Sequence, residues 1–413
     1  MTVHVVGAGL AGLSAAVELT ARGVPVTLSE AAPQAGGRCR SYHDAQLGMD
    51  IDNGNHLVLS GNHAVVAYLA RIGASDRLRG PDEAVFEFAD AASGERWAVR
   101  PSMGAVPWWL FDPARRVPGT GVADYARLAP LLRPRAGARV GEIVPTRGPL
   151  WDRLIDPLLL AALNTDAARG SAKLAGAVVR ETMARGGRAY RPMIAHPTLA
   201  AAFVDPALAW LAERGVNLRT RRLRALTFEE QVTGLDFGDG VVLLGEGDAV
   251  VLAVPAPVAP TLVPGLTAPT EFRAIVSAHF AVPPPRGMSP MLGLTNATVE
   301  WIFAFPDRIS VTISAADRLL DVDRAELAAT LWAEVASVLG LPAALPRWQL
   351  VKERRATFAA TPEQDALRPG ARTQWRNLVL AGDWTQTGLP ATIEGAIRSG
   401  VTAALMTSRA HGV

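Results

Sequence analysis

The sequence predicts an α/β fold, a parallel nucleotide-binding sheet with an α+β domain inserted into it, on the strength of three stretches. The first is Gly7-Ala8-Gly9-Leu10-Ala11-Gly12. It follows the apolar run Val3-His4-Val5-Val6 and precedes Leu13 to Arg22, whose apolar spacing is helical and which Gly23 ends. The second is Asp248 to Pro255, apolar throughout after its first residue, as a strand buried on both faces should be. The third is Asn377 to Trp384, a buried strand ending in Gly382-Asp383, after which Thr387 to Gly400 enters a helix. These stretches lie at the start, middle and end of 413 residues. The nucleotide sheet is therefore expected to be Rossmann-like and assembled from separated segments.

The glycines of the opening loop have distinct tasks. Gly7 permits the tight turn, Gly9 lets backbone approach a pyrophosphate, and Gly12 lets helix and strand pack closely. With Ala11 they form the expected cradle, and the phosphate charge faces free N–H groups at the helix start. A second strand, Val24 to Ser29, ends at Glu30. An acid about 20 residues beyond such a loop is placed for a ribose hydroxyl. The chain therefore opens by holding an adenine dinucleotide.

Gly36-Gly37-Arg38 follows shortly. Glycine loop, strand-end acid and Gly-Gly-Arg turn together resemble the flavoprotein amine oxidase and carotenoid desaturase superfamily. That resemblance implies FAD, with Gly37 and Arg38 against its pyrophosphate and flavin side. Residues 49–62 crowd polar side chains between apolar patches, in Asp52-Asn53-Gly54-Asn55-His56-Leu57-Val58-Leu59-Ser60-Gly61-Asn62. A turn is expected at Asn53-Gly54, since both residues tolerate positive φ. The stretch resembles one branch of the superfamily, the squalene-associated FAD-dependent desaturases or hydroxysqualene dehydroxylases. The resemblance places Gly54 beside the flavin. His56 is the natural proton-transfer candidate, because imidazole titrates near neutral pH, and Asn55 is taken with it as catalytic. The same resemblance puts the backbone of Leu223 at the adenine. It assigns Gly382 and Asp383 to the cofactor's ribityl and phosphate side. It sets Pro390, Ala391, Thr392 and Ile393, at a helix start near Ala391, against the flavin's pyrimidine carbonyl.

Between these motifs the chain alternates. Residues 64–79 are helical, and Val85 to Ala89 pairs with Arg96 to Arg100 through a turn at Ala92-Ser93-Gly94. Pro107-Trp108-Trp109-Leu110-Phe111 is followed by Arg115-Arg116. Such aromatics either wall an apolar pocket or dip into a membrane interface. Leu150 to Leu163 reads as a buried helix interrupted at Pro157, and Gly170 to Arg185 as a helix. Leu199 to Arg214 is helical, and Val216 to Leu226 alternates like one strand. Further strands are expected at 274–282, 299–305 and 309–314, with a helix at Leu327 to Leu339. The cofactor domain is then 1–75, 190–256 and 350–413, and the substrate domain 76–189 and 257–349.

Composition narrows the class. Net charge is +2, and lysine occurs only at Lys173 and Lys352. No basic run marks a nucleic-acid surface, so no nucleic-acid partner is expected. No apolar run reaches the ~18 residues of a membrane span. The first strand starts at about residue 3 with no basic leader, so no signal peptide is read. Cys39 is the sole cysteine, which fits a reducing cytoplasm; it is read as a buried filler. No metal site is expected.

The resemblance implies an FAD-dependent oxidoreductase that removes the hydroxyl of hydroxysqualene to give squalene, on the route to hopanoids. Hydride from reduced flavin N5 would quench an allylic cation, with His56 supplying the proton through a water. The implied partners are a C30 isoprenoid and a separate electron donor or reductase, because no second dinucleotide motif is present. A poorly soluble polyene also implies peripheral contact with the inner face of the membrane. Rival readings are a carotenoid-type desaturase, a flavin amine oxidase, and a non-catalytic prenyl-lipid carrier of related fold.

Overall fold

The computed structural model describes residues 1–409. A five-stranded parallel sheet forms one layer, in the order Leu218–Thr220, Val26–Glu30, Val3–Val6, Ala249–Leu252, Leu378–Leu380. Val3–Val6 occupies the centre, with Val26–Glu30 on one side and the expected middle strand on the other. Ala249–Leu252 is buried along its whole length, as its unbroken apolar run requires.

Helices Leu10–Ala21 and Ile393–Arg409 pack together against this sheet. Their approach is close: a Cβ on Gly400 would lie 2.1 Å from the Ala11 carbonyl oxygen. Ser14 donates its hydroxyl to Ile397 O at 3.0 Å across the same contact. The first and last helices of the chain are thereby locked to each other.

The second layer is a mixed seven-stranded sheet. Its order is Trp348–Phe358, Phe272–Phe280, Ile309–Ile313, Trp301–Ala304, Met291–Thr295, Phe86–Asp90, Arg96–Val99. All its pairings are antiparallel except Met291–Thr295 with Phe86–Asp90. Helix Arg324–Leu339 covers one face through Leu327, Leu331, Trp332 and Val335. The opposite face carries Phe88, Trp97, Trp301 and Phe303, packed under the irregular segment of residues 100–190.

Several expectations need correction. Trp348–Phe358 pairs along Phe272–Phe280, so a domain boundary at 350 falls inside a strand of the second sheet. Residues 216–226 are not one strand. Leu218–Thr220 joins the parallel sheet, and Ala225–Phe228 turns away to pair with Val232–Asp236. Pro157 does not interrupt its helix. A π-helical turn at Trp151–Ile155 precedes Asp156–Leu163, so the proline enters where the ladder is already re-registered. The same device, Ala200–Val204 followed by Asp205–Ala212, accommodates Pro206. Neither Asn53 nor Gly54 adopts a positive φ; the segment bends without a left-handed residue.

Candidate active site

The cofactor motifs converge at the carboxyl ends of the parallel strands, where α/β sheets bind ligands. Gly7 turns there with φ 105°, and an added Cβ would lie 2.4 Å from Ala253 O. A Cβ on Gly12 would lie 1.8 Å from Gly7 O. Gly9 differs: nothing lies within 4 Å of its added Cβ. The Gly36-Gly37 turn crosses above it, with the position of a Gly37 Cβ 3.5 Å from Gly9 Cα. Open space thus faces the backbone of Gly9 and Gly37 at the start of helix Leu10–Ala21. Ala11 is buried within that helix. Glu30 accepts from Ala8 N–H at 2.7 Å and Ala32 N–H at 2.9 Å, which ties the loop to the strand end and leaves carboxylate lone pairs over. Leu223 lies in the break between strands Leu218–Thr220 and Ala225–Phe228, its side chain buried. Its backbone N–H and C=O have no partner among the described residues.

Arg38 joins the two ends of the chain. It donates to Asp383 Oδ1 at 2.7 Å and to the Ala356 carbonyl. Its side chain is 42% accessible while Asp383 is buried, so the guanidinium lines a cleft with its partner at the wall. Burial opposes the charge, but the Asp383 carboxylate outweighs it and holds the Arg38 pKa above the usual value. Gly382 sits at φ 155°, where a Cβ would lie 2.3 Å from the Trp384 ring nitrogen. Pro390 is buried and Ala391 half-buried. The following helix begins at Ile393, not at Ala391. Thr392 is its cap, accepting from Gly395 N–H at 3.0 Å.

Arg368 was not legible as functional in the sequence, yet it organises this end of the site. Fully buried, it donates to Asp365 Oδ1 at 3.0 Å, Asp383 O at 3.1 Å, Thr387 Oγ1 at 2.9 Å and Thr385 O. Glu394, also missed, is buried and caps helix His63–Arg71, accepting from Ala64 and Val65 N–H at 3.1 and 3.0 Å.

The 52–56 segment lies between the cleft and the second sheet. Gly54 makes ordinary contact there, its added Cβ 3.6 Å from Ser277 Oγ. Asn53 donates to Glu353 Oε2 at 3.1 Å. Asn55 donates to Thr312 Oγ1 at 3.0 Å, while its Oδ1 is buried without a partner. Ser277 Oγ, on the strand beside Thr312, is likewise buried and unpartnered. His56 is half-buried beside Arg38. Desolvation first, and then the Arg38 charge, push its pKa down to about 4. In the flavin-free chain this favours the uncharged imidazole at neutral pH. Cys39 is buried, and burial pushes its pKa up to about 12; it is an inert filler.

Register extends the polar corner into an apolar wall. Ser277 pairs with Thr312, Thr312 with Trp301, Trp301 with Gly293, Gly293 with Phe88, and Phe88 with Trp97. Directly paired residues share a face. One row thus runs from the hydroxyls beside Asn55 to aromatic rings at the sheet edge. Gly293 lets the rings close over it, since its Cβ would lie 2.5 Å from Phe88.

A family model described as flavin containing amine oxidoreductase matches residues 10–405. The chain belongs to that family. It is an FAD-dependent oxidoreductase, and the open backbone at Gly9 and Gly37, the Arg38–Asp383 pair and the free Leu223 backbone fit that cofactor. A protein named hydroxysqualene dehydroxylase from Rhodopseudomonas palustris is 56% identical, over 98% of this chain and 97% of its own. One of the same name from Sinorhizobium fredii is 54% identical, over 97% of each chain. The structure of cyclohexylamine oxidase from Brevibacterium oxydans superposes with a TM-score of 0.69 at 16% identity, covering 99% of both chains. That likeness establishes the shared fold.

Proposed function

We propose that the chain reductively removes the hydroxyl of hydroxysqualene to give squalene. The observation that carries this reading is the row on the second sheet. A single polar corner (Asn55, Ser277, Thr312) meets a wall of aromatic and small residues. From Ser277 to Trp97 the row crosses five strand spacings, about 24 Å, the length scale of a long polyene. That pattern suits a hydrocarbon with one hydroxyl. The names of the full-length relatives support the same substrate.

The residues that hold FAD in this reading are Gly7, Gly9, Ala11 and Gly12 at the pyrophosphate, Glu30 at a ribose hydroxyl and Leu223 at the adenine. Gly37 and Arg38 with Gly382 and Asp383 line the centre, and Gly54 with Pro390 to Ile393 flanks the flavin. When bound and reduced, FAD would supply the hydride that replaces the hydroxyl, and the hydroxyl would leave as water with one proton drawn from solvent. Asn55 Oδ1, lacking any protein donor, accepts the substrate's O–H and fixes the carbon that bears it. His56 donates a neutral N–H to the leaving oxygen. The aromatic row excludes water from the site. Electrons reach the site from a separate donor. We place the protein at the inner face of the cytoplasmic membrane, where its substrate and product reside.

Asn55→Leu tests this. It should retain FAD and lower kcat/KM for hydroxysqualene by roughly 10- to 100-fold, the loss of a buried hydrogen bond to substrate. Desaturation of a saturated polyene with no squalene formed from hydroxysqualene would transfer the chain to the desaturase reading.

A further inference from the structure

The short helical turn Trp108–Phe111 divides its side chains between two environments. Trp109 is buried against Tyr125, with ring centroids 5.3 Å apart. Trp108 and Phe111 point away from the protein, 69% and 66% exposed, and Val106 beside them is 54% exposed. The two outward rings lie 6.2 Å apart, so they form one patch. Exposed aromatics of this size seldom occur together on a surface that meets only water.

The surroundings of the patch are basic. Residues 102–106 pack on the 186–188 segment through Gly187 N–H to Ser102 O at 2.8 Å and Arg188 N–H to Met103 O at 3.2 Å. Arg100, Arg185 and Arg188 are exposed around this contact, and Arg115 and Arg116 are half-exposed after the turn. None of the five has a carboxylate partner among the described residues, but Arg115 donates to the carbonyls of Arg100 and Pro101, Arg116 to that of Leu110, and Arg185 contacts His63 Nε2, which leaves Arg100 and Arg188 as the uncommitted guanidinium groups. The nearest acid in sequence, Asp112, accepts from Ala114 N–H at 3.0 Å.

Directly inside the patch is an apolar pocket lined by Phe86, Val99, Pro101, Trp109, Met183 and Tyr190. Phe86 and Val99 are paired on the two outermost strands, two residues from the Phe88–Trp97 pair. They therefore share the face that carries the aromatic row. Exposed patch, small pocket of about 20 Å³ and buried row lie one behind the other on this side of the sheet, with the Arg153 guanidinium 4.1 Å over the Trp97 ring.

We propose that Val106, Trp108 and Phe111 dock the protein on an anionic lipid bilayer, with Arg100 and Arg188 at the headgroups, and that the substrate enters through the pocket beneath them. The charge of the rim selects this occupant: aromatic rings sit at the interface and arginines pair with anionic headgroups. The entry route rests on the hydroxysqualene reading; the docking does not.

Holoenzyme is sedimented with phosphatidylcholine vesicles, with and without phosphatidylglycerol. Wild type should bind the anionic vesicles and release from them in high salt. Trp108→Ser/Phe111→Ser should lower that binding by at least about tenfold, since two interfacial anchors are lost. Arg188→Gln should lower it by about fivefold on anionic vesicles and leave phosphatidylcholine vesicles unaffected. Turnover of hydroxysqualene presented in detergent micelles should be unchanged in the double variant and depressed when the substrate is in vesicles. Wild type that ignores anionic vesicles, or a double variant that binds them equally, overturns the docking and leaves the patch a protein interface. Intact vesicle binding with no micellar turnover by wild type overturns the substrate reading alone.

Discussion

Gly9→Ala and Gly12→Ala are the same chemical change three residues apart, and they should fail in opposite ways. A methyl on Gly12 would lie 1.8 Å from Gly7 O and 2.9 Å from Gly7 C, both backbone atoms. Helix and loop must separate to admit it, an overpacking cost of about 1–3 kcal/mol or more. A methyl on Gly9 meets nothing within 4 Å, and the backbone there, φ −72° and ψ 176°, suits any residue. Gly9→Ala should leave the apoprotein as stable as wild type, or firmer by about 0.4–1 kcal/mol through the unfolded chain. Its methyl instead occupies the approach of the pyrophosphate. Losing one charged hydrogen bond there costs about 1.5–3 kcal/mol, roughly a 10- to 150-fold weaker Kd for FAD. Urea unfolding of flavin-free protein and FAD titration separate the two effects. If Gly9→Ala destabilised the apoprotein as much as Gly12→Ala, or bound FAD like wild type, the open space at Gly9 would not be the cofactor's.

Arg368→Met removes four hydrogen bonds from a buried guanidinium and leaves Asp365 with Lys173 at 2.9 Å. It should cost about 3 kcal/mol in urea unfolding and weaken FAD binding, because the 382–387 loop loses its anchor; a cost below about 1 kcal/mol would contradict this. Burial raises the Glu300 pKa from 4.5 to about 7. The native state keeps a proton that the unfolded state loses, so stability should fall as pH rises from 4.5 to 7, by up to about 3 kcal/mol. Glu300→Gln should abolish that slope, and an unchanged slope would place its origin elsewhere. His56 has the opposite sign: its pKa falls from 6.5 to about 4, so the unfolded chain binds the extra proton. Apoprotein stability should therefore drop as pH falls through that window, by up to about 3 kcal/mol. His56→Gln should remove the drop while keeping FAD, and wild-type activity should show no loss at about pH 6–7 on the alkaline side assignable to deprotonation of an imidazolium.

The nucleotide half was readable because its constraints are local. Strand, glycine turn and helix lie within twenty residues, and the continuous apolar run at 249–252 could only be a doubly covered strand. The second sheet was harder. Met291–Thr295 and Trp348–Phe358 escaped notice because Gly293 and the charged run Lys352-Glu353-Arg354-Arg355 break the usual alternation. Arg368 looked like any surface arginine; only the fold brings Asp365 and the 383–387 loop around it. The orphaned Ser277 Oγ depends on pairing with Thr312, 35 residues away. His56 stands out in the sequence by its polar neighbours, but its charge state depends on burial and on Arg38, and no local pattern carries that. The aromatic turn at 108–111 left pocket and membrane readings open, and the structure divides it, with Trp109 inward and Trp108 outward.

The central claim is reductive dehydroxylation, and an anaerobic single turnover tests it most directly. Reduced holoenzyme is mixed with hydroxysqualene while flavin absorbance and product mass are followed together. The account predicts that flavin reoxidises with the same rate and stoichiometry as squalene appears. Flavin that stays reduced while hydroxysqualene persists would contradict the substrate assignment, whatever the fate of the fold.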